Sequence, residues 1–329
     1  MSNILLSICI ATYNREGYIG KTLESIIPQV YDGIEIVIVD GGSTDNTEEI
    51  ILKYKQEYKF IKYFKLDKKG GIDQDYDKAV QFSQGEYCWL FSDDDLIKDN
   101  AIFEIMSKIL LKPSLIIVNA ELRCLDLKKV LKDRYLNMYE NNEFESNANS
   151  FEKFFLMNAE YLSFIGCVVI NRELWMSRER VNYYNTRFIH VGVIFQKLLP
   201  NKIIVLHQPY ITIRLGNAEW TKLGFQIWMF FWPNLIHSFS QFSESNKTLI
   251  TPKSPYLKYT TLISQRGLNA YQLDNYLELL RPILKSKFRK AISFSIAVTP
   301  RYLFLFLLLL YSVITNNRVL KYNLTKSAK

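Results

Sequence analysis

The sequence predicts an α/β fold built on a doubly wound, mostly parallel sheet. Over the first 120 residues, short β-branched or aromatic runs alternate with helix-length amphipathic stretches, turn residues bound each run, and polar clusters directly follow several runs. Strands and helices alternating at this spacing form βαβ units, whose crossovers return each strand parallel to the last. The strands are expected at Leu5–Ala11, Glu35–Val39, Phe60–Lys65, Tyr87–Phe91 and Leu115–Val118. Helices are expected between them at Glu16–Ile27, Asn46–Tyr58, Asp73–Ser83 and Asn100–Leu111. The polar stretch Asp133–Ser150 reads as a surface loop or lid. A second set of elements follows: a strand near Phe164–Asn171, a helix near His190–Leu199 and a strand pair near Ile203–Arg214. From Gly224 the chain is aromatic-rich and then helical to its end, and no repeat of solenoid period is present.

With 329 residues, 48% hydrophobic and 22% charged, the chain can bury a full core in one or two domains. That excludes a disordered chain and a small disulfide scaffold. The formal charge of +8 is unevenly placed: no acid follows Glu278, and residues 281–329 hold ten Lys and Arg. Residues 1–280 then carry 31 basic against 33 acidic side chains, so a nucleic-acid-binding body is not expected. Within the tail, Tyr302–Thr315 is almost unbroken apolar sequence, but its fourteen residues fall short of the roughly 20 that cross a bilayer. An in-plane membrane helix flanked by cations fits better, with a buried core helix as the plain alternative. On this reading, removal of 281–329 is expected to release the protein from anionic vesicles and leave ligand binding intact. Cys9, Cys88, Cys124 and Cys167 are scattered and read as buried thiols. Met1-Ser2-Asn3 runs straight into a strand without a signal-like segment, so the active part is expected in the cytoplasm.

Chemistry gathers after the strands, where open parallel sheets bind ligands. Strand one ends in Ala11-Thr12-Tyr13-Asn14-Arg15-Glu16, strand two in Asp40-Gly41-Gly42-Ser43-Thr44-Asp45, and strand four in Ser92-Asp93-Asp94-Asp95. Thr44 or Asp45 can cap the next helix, and Gly41-Gly42 allow a tight turn. Asp40 closes an apolar run and needs a partner, which ribose hydroxyls or a base edge would supply; the alternative is a capping carboxylate. Three successive carboxylates repel one another, and Mg²⁺ or Mn²⁺ with oxygen ligands relieves that cost. Such an ion takes one or two carboxylates and completes its shell with phosphate and water, as at a nucleoside-diphosphate site. The alternative is a solvated acidic helix cap. Arg214 ends the strand Tyr210–Ile213, where its planar fork could reach a diphosphate or make a surface ion pair. His207 reads as a solvated strand-edge residue, with a place in the metal shell as the alternative.

Together, Thr12-Tyr13-Asn14-Arg15-Glu16, Ile36–Thr47 and Gly85-Glu86-Tyr87 running into Ser92-Asp93-Asp94-Asp95 resemble family-2 glycosyltransferases of the GT-A fold. The resemblance covers about residues 4–120 well and 160–215 loosely. Tyr87–Asp94 and Phe188-Ile189-His190-Val191 are similar to its abequosyltransferase-like branch. The resemblance implies a catalytic domain over 1–222, with a nucleotide-sugar half to about 120 and an acceptor half beyond it; the composition of the tail makes 223–329 a helical membrane-associating region. It places Thr12 and Asn14 beside the nucleobase, Asp40 on base or ribose, and Asp73 or Asp75 over the nucleoside. Ser92 stands where the family's metal motif has its first acid, so the metal falls to Asp94 first, then Asp93 or Asp95. The base is usually an acid opening an acceptor-half helix. Here that stretch, Arg187–Gly192, has none, so His190 is the candidate and Glu173 the reserve.

The implied reaction is sugar transfer from a nucleotide-sugar donor to a hydroxyl of a saccharide, or of a lipid-linked acceptor at the cytoplasmic face of a bacterial inner membrane, in surface-polysaccharide synthesis. A non-catalytic scaffold of the same fold and a nucleotidyltransferase are the alternatives, though ATYNREG is not the Gly-rich phosphate loop the latter would carry.

Overall fold

The computed structural model describes residues 4–217 and 223–327, divided between two compact units: residues 1–123 with 133–214, and residues 124–132 with 215–329. The domain boundary expected at 222/223 adjoins residues 218–222, outside the described residues.

In the first unit the strands are β1 (Leu6–Thr12), β2 (Ile34–Asp40), β3 (Ile61–Lys65), β4 (Tyr87–Phe91), β5 (Leu96–Ile97) and β6 (Leu115–Arg123). After β7 (Val130–Lys132) of the second unit come β8 (Asn142–Phe144), β9 (Val168–Asn171) and β10 (Ile203–Arg214). Spatially they run β3-β2-β1-β4-β9-β6-β10-β5, with β8 antiparallel to β10. β1 pairs in parallel with both β2 and β4, which is the doubly wound signature. β9 is antiparallel to β4 and β6, so β6 and the parallel β10 again point the same way as β1. The carboxyl ends of β1, β2, β4, β6 and β10 therefore share one edge.

All seven residues of β1 and of β2 and all five of β4 are buried, as near-continuous apolar runs covered on both faces should be. The helices α1 (Ile19–Ile26), α2 (Thr47–Glu57), α3 (Ile72–Phe82) and α4 (Ala101–Ile109) fall within a few residues of their expected positions. α5 (Ala148–Asn158), α6 (Arg172–Ser177) and α7 (Ile189–Phe195) follow.

Two expectations change. The polar stretch 133–150 is not one loop: it holds β8 and ends in the Asn147 cap of α5, whose side chain accepts the Ser150 N–H at 2.9 Å. The expected strand pair at 203–214 is a single strand whose register breaks between Leu206 and Ile211. Pro209 lies in the break and has no N–H to give a ladder. Opposite it, buried Asn119 fills the gap: its Nδ2 donates to the His207 and Leu136 carbonyls, and its Oδ1 accepts the Ala120 and Leu136 N–H groups.

The second unit is helical beyond residue 223. Gly224–Gln226 (α8) and Trp232–Ser238 (α9) flank a π-helical segment, Ile227–Phe231. After α10 (Glu244–Ile250), α11 (Tyr259–Gly267) and α12 (Leu273–Asn275) come α13 (Lys287–Val298), α14 (Arg301–Ile314) and α15 (Arg318–Ser327). Phe225, Met229, Leu262, Tyr271, Leu280, Leu284, Ile296 and Ala297 form its core. Part of the basic tail thus belongs to that core, and deleting residues 281–329 would open it. The clean release expected of that truncation is corrected accordingly.

Candidate active site

Beyond β1 the chain turns into the left-handed region at Asn14 (φ 53°), and the loop after β2 holds it there. Ser43 Oγ accepts the Asn14 N–H at 2.9 Å, Asn14 Oδ1 accepts the Thr44 N–H at 2.8 Å, and Thr47 Oγ1 accepts the Arg15 N–H at 2.7 Å. Asp45 adds the capping role expected of it, its Oδ1 accepting the Thr47 N–H at 3.0 Å. The polar residues after strands one and two therefore bind each other first. Asn14, expected beside a nucleobase, is a staple between two loops. Thr12 is buried, and its Oγ1 has no hydrogen-bond partner.

Asp40 has the partner its burial demands, but the protein supplies it. At 0% exposure, Oδ1 accepts the Ser43 N–H at 2.7 Å and Oδ2 accepts the Tyr63 hydroxyl at 2.8 Å. The capping alternative holds, and contact with base or ribose is corrected to support of the loop from beneath.

The three acids after β4 separate by environment. Asp95 is buried and fastens β10, its Oδ1 accepting the Arg214 N–H at 2.7 Å and its Oδ2 the Ser92 hydroxyl at 2.5 Å. Asp93 is buried and paired with Arg15 at 3.3 Å; burial, then the neighbouring Asp94 charge, push its carboxyl up to about 7. Burial and Asp94 likewise raise Asp95 well above the usual carboxylate range. Asp94 between them is half-buried, and its carbonyl accepts Arg214 Nε at 2.8 Å. Arg214, expected at a diphosphate or in a surface ion pair, is buried against the acidic turn, and the Tyr18 ring centre lies 5.2 Å from its guanidinium and 6.0 Å from that of Arg15. Arg15 and Tyr18 were missed as site residues; the signal for Arg15 was its place in the polar cluster after strand one.

Among the described residues no three His, Cys, Asp or Glu side chains could hold a metal ion together. Asp95 fastens β10 and Asp93 pairs with Arg15, both buried, and Asp94 is the most exposed of the three carboxylates. The set still fits a hard divalent cation that takes most of its shell from a ligand and water, and raised carboxyl pKa values mark negative charge such a cation would offset. His207 has no part in it, since its Nδ1 bonds Asn141 Oδ1 at 2.8 Å.

Asp73 and Asp75 open α3 but face different neighbours. Asp73 Oδ2 accepts the Arg187 N–H at 2.8 Å and Oδ1 the Ile189 N–H at 3.0 Å, so both its oxygens are engaged by the acceptor half of the chain. Asp75 sits against Gly41 and Gly70, where an added Cβ would meet its carboxylate at 3.2 and 2.9 Å. Asp75 is buried with Oδ1 lacking a hydrogen-bond partner, and burial raises its carboxyl to about 6. Of the two, Asp75 is the one placed to meet a ligand.

Neither base candidate survives. His190 is 1% exposed inside α7, its Nε2 lies 2.6 Å from the Leu162 carbonyl, and burial pushes its pKa down to about 4. Sealed in the core, the imidazole is out of reach of an acceptor hydroxyl, and its depressed pKa makes it a weak base. Glu173 is exposed, but it follows Asn171, which pairs with Tyr87 at the start of β4; it lies on the opposite edge of the sheet from Asp93.

The buried histidine sets a pH dependence. Its folded pKa lies below the ordinary 6.5, so its stabilisation is full above pH 6.5 and is lost as pH falls towards 4, by at most about 3 kcal/mol. His190→Gln should flatten the fall of the thermal midpoint across that window and change turnover less than threefold. A hundredfold loss of turnover would restore the histidine as a base.

Comparison with known proteins agrees with this geometry. Residues 7–173 match the family model described as "Glycosyl transferase family 2". Abequosyltransferase RfbV of Salmonella typhimurium is 25% identical over 233 residues, covering 67% of this chain and 70% of that protein. Glycosyltransferase GlyG of Streptococcus pneumoniae is 34% identical over 98 residues, 30% of this chain and 33% of its own length. In fold, the chain is similar to S. aureus TarS 1-349 in complex with UDP-GlcNAc (TM-score 0.57, 15% identity, 98% of this chain and 91% of that one). It is also similar to the mannosyltransferase PcManGT of Pyrobaculum calidifontis with GDP-Man and Mn²⁺ (TM-score 0.52, 15% identity, 98% and 85%).

Proposed function

The chain belongs to glycosyl transferase family 2 and has the GT-A fold, and on that premise we propose that it transfers a sugar from a nucleotide diphosphate donor to a saccharide or lipid-linked acceptor, with Mg²⁺ or Mn²⁺, at a membrane surface. The observation that carries the donor site is the convergence of the β1, β2, β4 and β10 ends around Asp93-Asp94-Asp95, gripped by Arg15 and Arg214. TarS with UDP-GlcNAc and PcManGT with GDP-Man and Mn²⁺ support the donor class and the metal. RfbV and a staphylococcal poly-β-1,6-N-acetyl-D-glucosamine synthase, 25% identical over 169 residues, support a product in bacterial surface polysaccharide.

On this reading the nucleoside lies over Thr12, beside the Asp93 carboxylate, and Asp75, against Gly41 and Gly70, and Asp94 would hold the ion. A bound divalent cation would neutralise charge on the departing diphosphate. Arg214 orients the acidic turn through its backbone and Nε, and Arg15 opposes the rise that burial and Asp94 impose on the Asp93 carboxyl. Calorimetric titration with UDP, GDP and CDP, each with and without Mn²⁺, tests the reading. One nucleotide should bind at least tenfold tighter with Mn²⁺. No nucleotide binding would remove the donor site, and binding without turnover of any UDP-, GDP- or CDP-sugar would favour the scaffold.

Membrane attachment rests on α14. Tyr302, Leu303, Phe306, Leu310, Tyr311 and Ile314 are each at least 46% exposed; Arg301 opens α14, and Arg318 and Lys321 follow in α15. Among the described residues no single helix is long and apolar enough to cross a membrane; α13 and α14, bent by 86°, pass only when taken together. At 1.5 Å per residue α14 is about 21 Å long, short of a hydrocarbon core about 30 Å thick, which favours an in-plane position. Phe306→Ser with Leu310→Ser should weaken binding to vesicles containing phosphatidylserine at least tenfold without lowering the thermal midpoint. Unchanged vesicle binding would move the contact elsewhere.

A further inference from the structure

We infer that Asp73 is a positioning residue for transfer: it holds a strained segment of the acceptor half, Tyr184–Ile189, against the donor edge of the sheet. The inference rests on the donor-site reading above.

Within the segment, Asn185 (φ 67°) and Arg187 (φ 72°) adopt the left-handed conformation. Asparagine tolerates it, but arginine persists there only when its surroundings over-determine it. The surroundings are the first two turns of α3. Asp73, 3% exposed, receives the N–H groups on both sides of Phe188 in its two carboxylate oxygens. One turn on, Asp77 accepts the Tyr184 hydroxyl at 2.6 Å and Trp175 Nε1 at 2.9 Å. The same turns reach the donor side: Asp75 packs on Gly41 just beyond β2, and the Tyr76 hydroxyl donates to the Phe91 carbonyl at 2.9 Å, one residue before Ser92-Asp93-Asp94-Asp95. A single rigid element thus holds the strained segment and both donor-site loops. The role explains why acids at both positions 73 and 77 are buried and aimed away from Asp75.

The test uses Asp73→Ala and Asp73→Ala combined with Arg187→Gly. Nucleoside diphosphate affinity with Mn²⁺ is measured calorimetrically, turnover with whichever UDP-, GDP- or CDP-sugar the wild type consumes fastest, and amide exchange along the chain. Asp73→Ala should leave nucleotide affinity within twofold, lower turnover at least tenfold and speed exchange at 184–189. Arg187→Gly should then recover roughly tenfold of turnover, because glycine carries no left-handed penalty. Loss of nucleotide affinity in step with turnover would make Asp73 a nucleoside contact, and faster exchange throughout the chain without recovery would make it a stability residue; either overturns the inference. If no nucleotide binds the wild type, the donor reading fails, and exchange confined to 184–189 still decides whether Asp73 holds the segment.

Discussion

Asp94→Asn is expected to lower metal-dependent turnover at least a hundredfold while moving the thermal midpoint by no more than about 2 °C. The two expectations come from the same geometry. Asp93 and Asp95 are buried and committed, one to Arg15 and one to Ser92 and the Arg214 backbone, so replacing either also disturbs the turn. Asp94 is half-buried, and its backbone carbonyl, which Arg214 Nε uses, survives the substitution. Asparagine keeps the size and removes the charge. Loss of one preorganised charge stabiliser at a departing group costs about 10²–10³ in rate. The removed carboxylate also raises its neighbours, so the Asp93 carboxyl should titrate below its value of about 7 in the variant, a shift visible by carboxyl-carbon NMR. Turnover above a tenth of wild type would show that the ion is held elsewhere.

The largest effect on stability is expected at Asp77. Its carboxylate accepts Trp175 Nε1 at 2.9 Å, the Tyr184 hydroxyl at 2.6 Å and Gln81 Nε2 at 3.0 Å, and it pairs with Arg180 at 2.9 Å. The Asp77 side chain is 2% exposed and Arg180 20%. Removing one partner of a buried ion pair leaves the other charge and several donors uncompensated, at a cost of about 3–5 kcal/mol. Because Arg180 keeps some access to water, Asp77→Ala should lie near the lower end. For a unit of this size that lowers the thermal midpoint by about 10 °C. The near-ultraviolet dichroism of Trp175 should weaken in parallel, and a shift under 2 °C would show that the network contributes nothing net.

Local patterns made the frame legible. Continuous apolar runs such as Ile36–Val39 and Tyr87–Phe91 could be read as strands buried on both faces, and their polar endings placed the site on one edge. What stayed hidden is pairing at long range. Desolvation showed that Asp40 needs a partner, yet that partner is Tyr63 on the adjacent strand, and nothing in the sequence distinguishes a hydroxyl of the protein from one of a ligand. Asp73 and Asp77 stand one helical turn apart, which marks a shared face, but their partners lie about a hundred residues further on. His190 is expected just before an apolar helix, a setting more common for a cap or core residue than for a base; it lies inside α7 at 1% exposure.

The margins of the sheet bear on how the protein behaves when concentrated. One margin is β3, five residues long with Lys62 and Lys65 exposed; at the other, β10 carries the short strands β5, two residues long, and β8, three residues long. A foreign strand would have to bury two lysines at the first or pair with two or three residues at the other, and both discourage cross-chain ladders. Self-association should therefore run through exposed apolar surface, of which α14 carries a continuous stretch, and detergent should lower it at a fixed protein concentration.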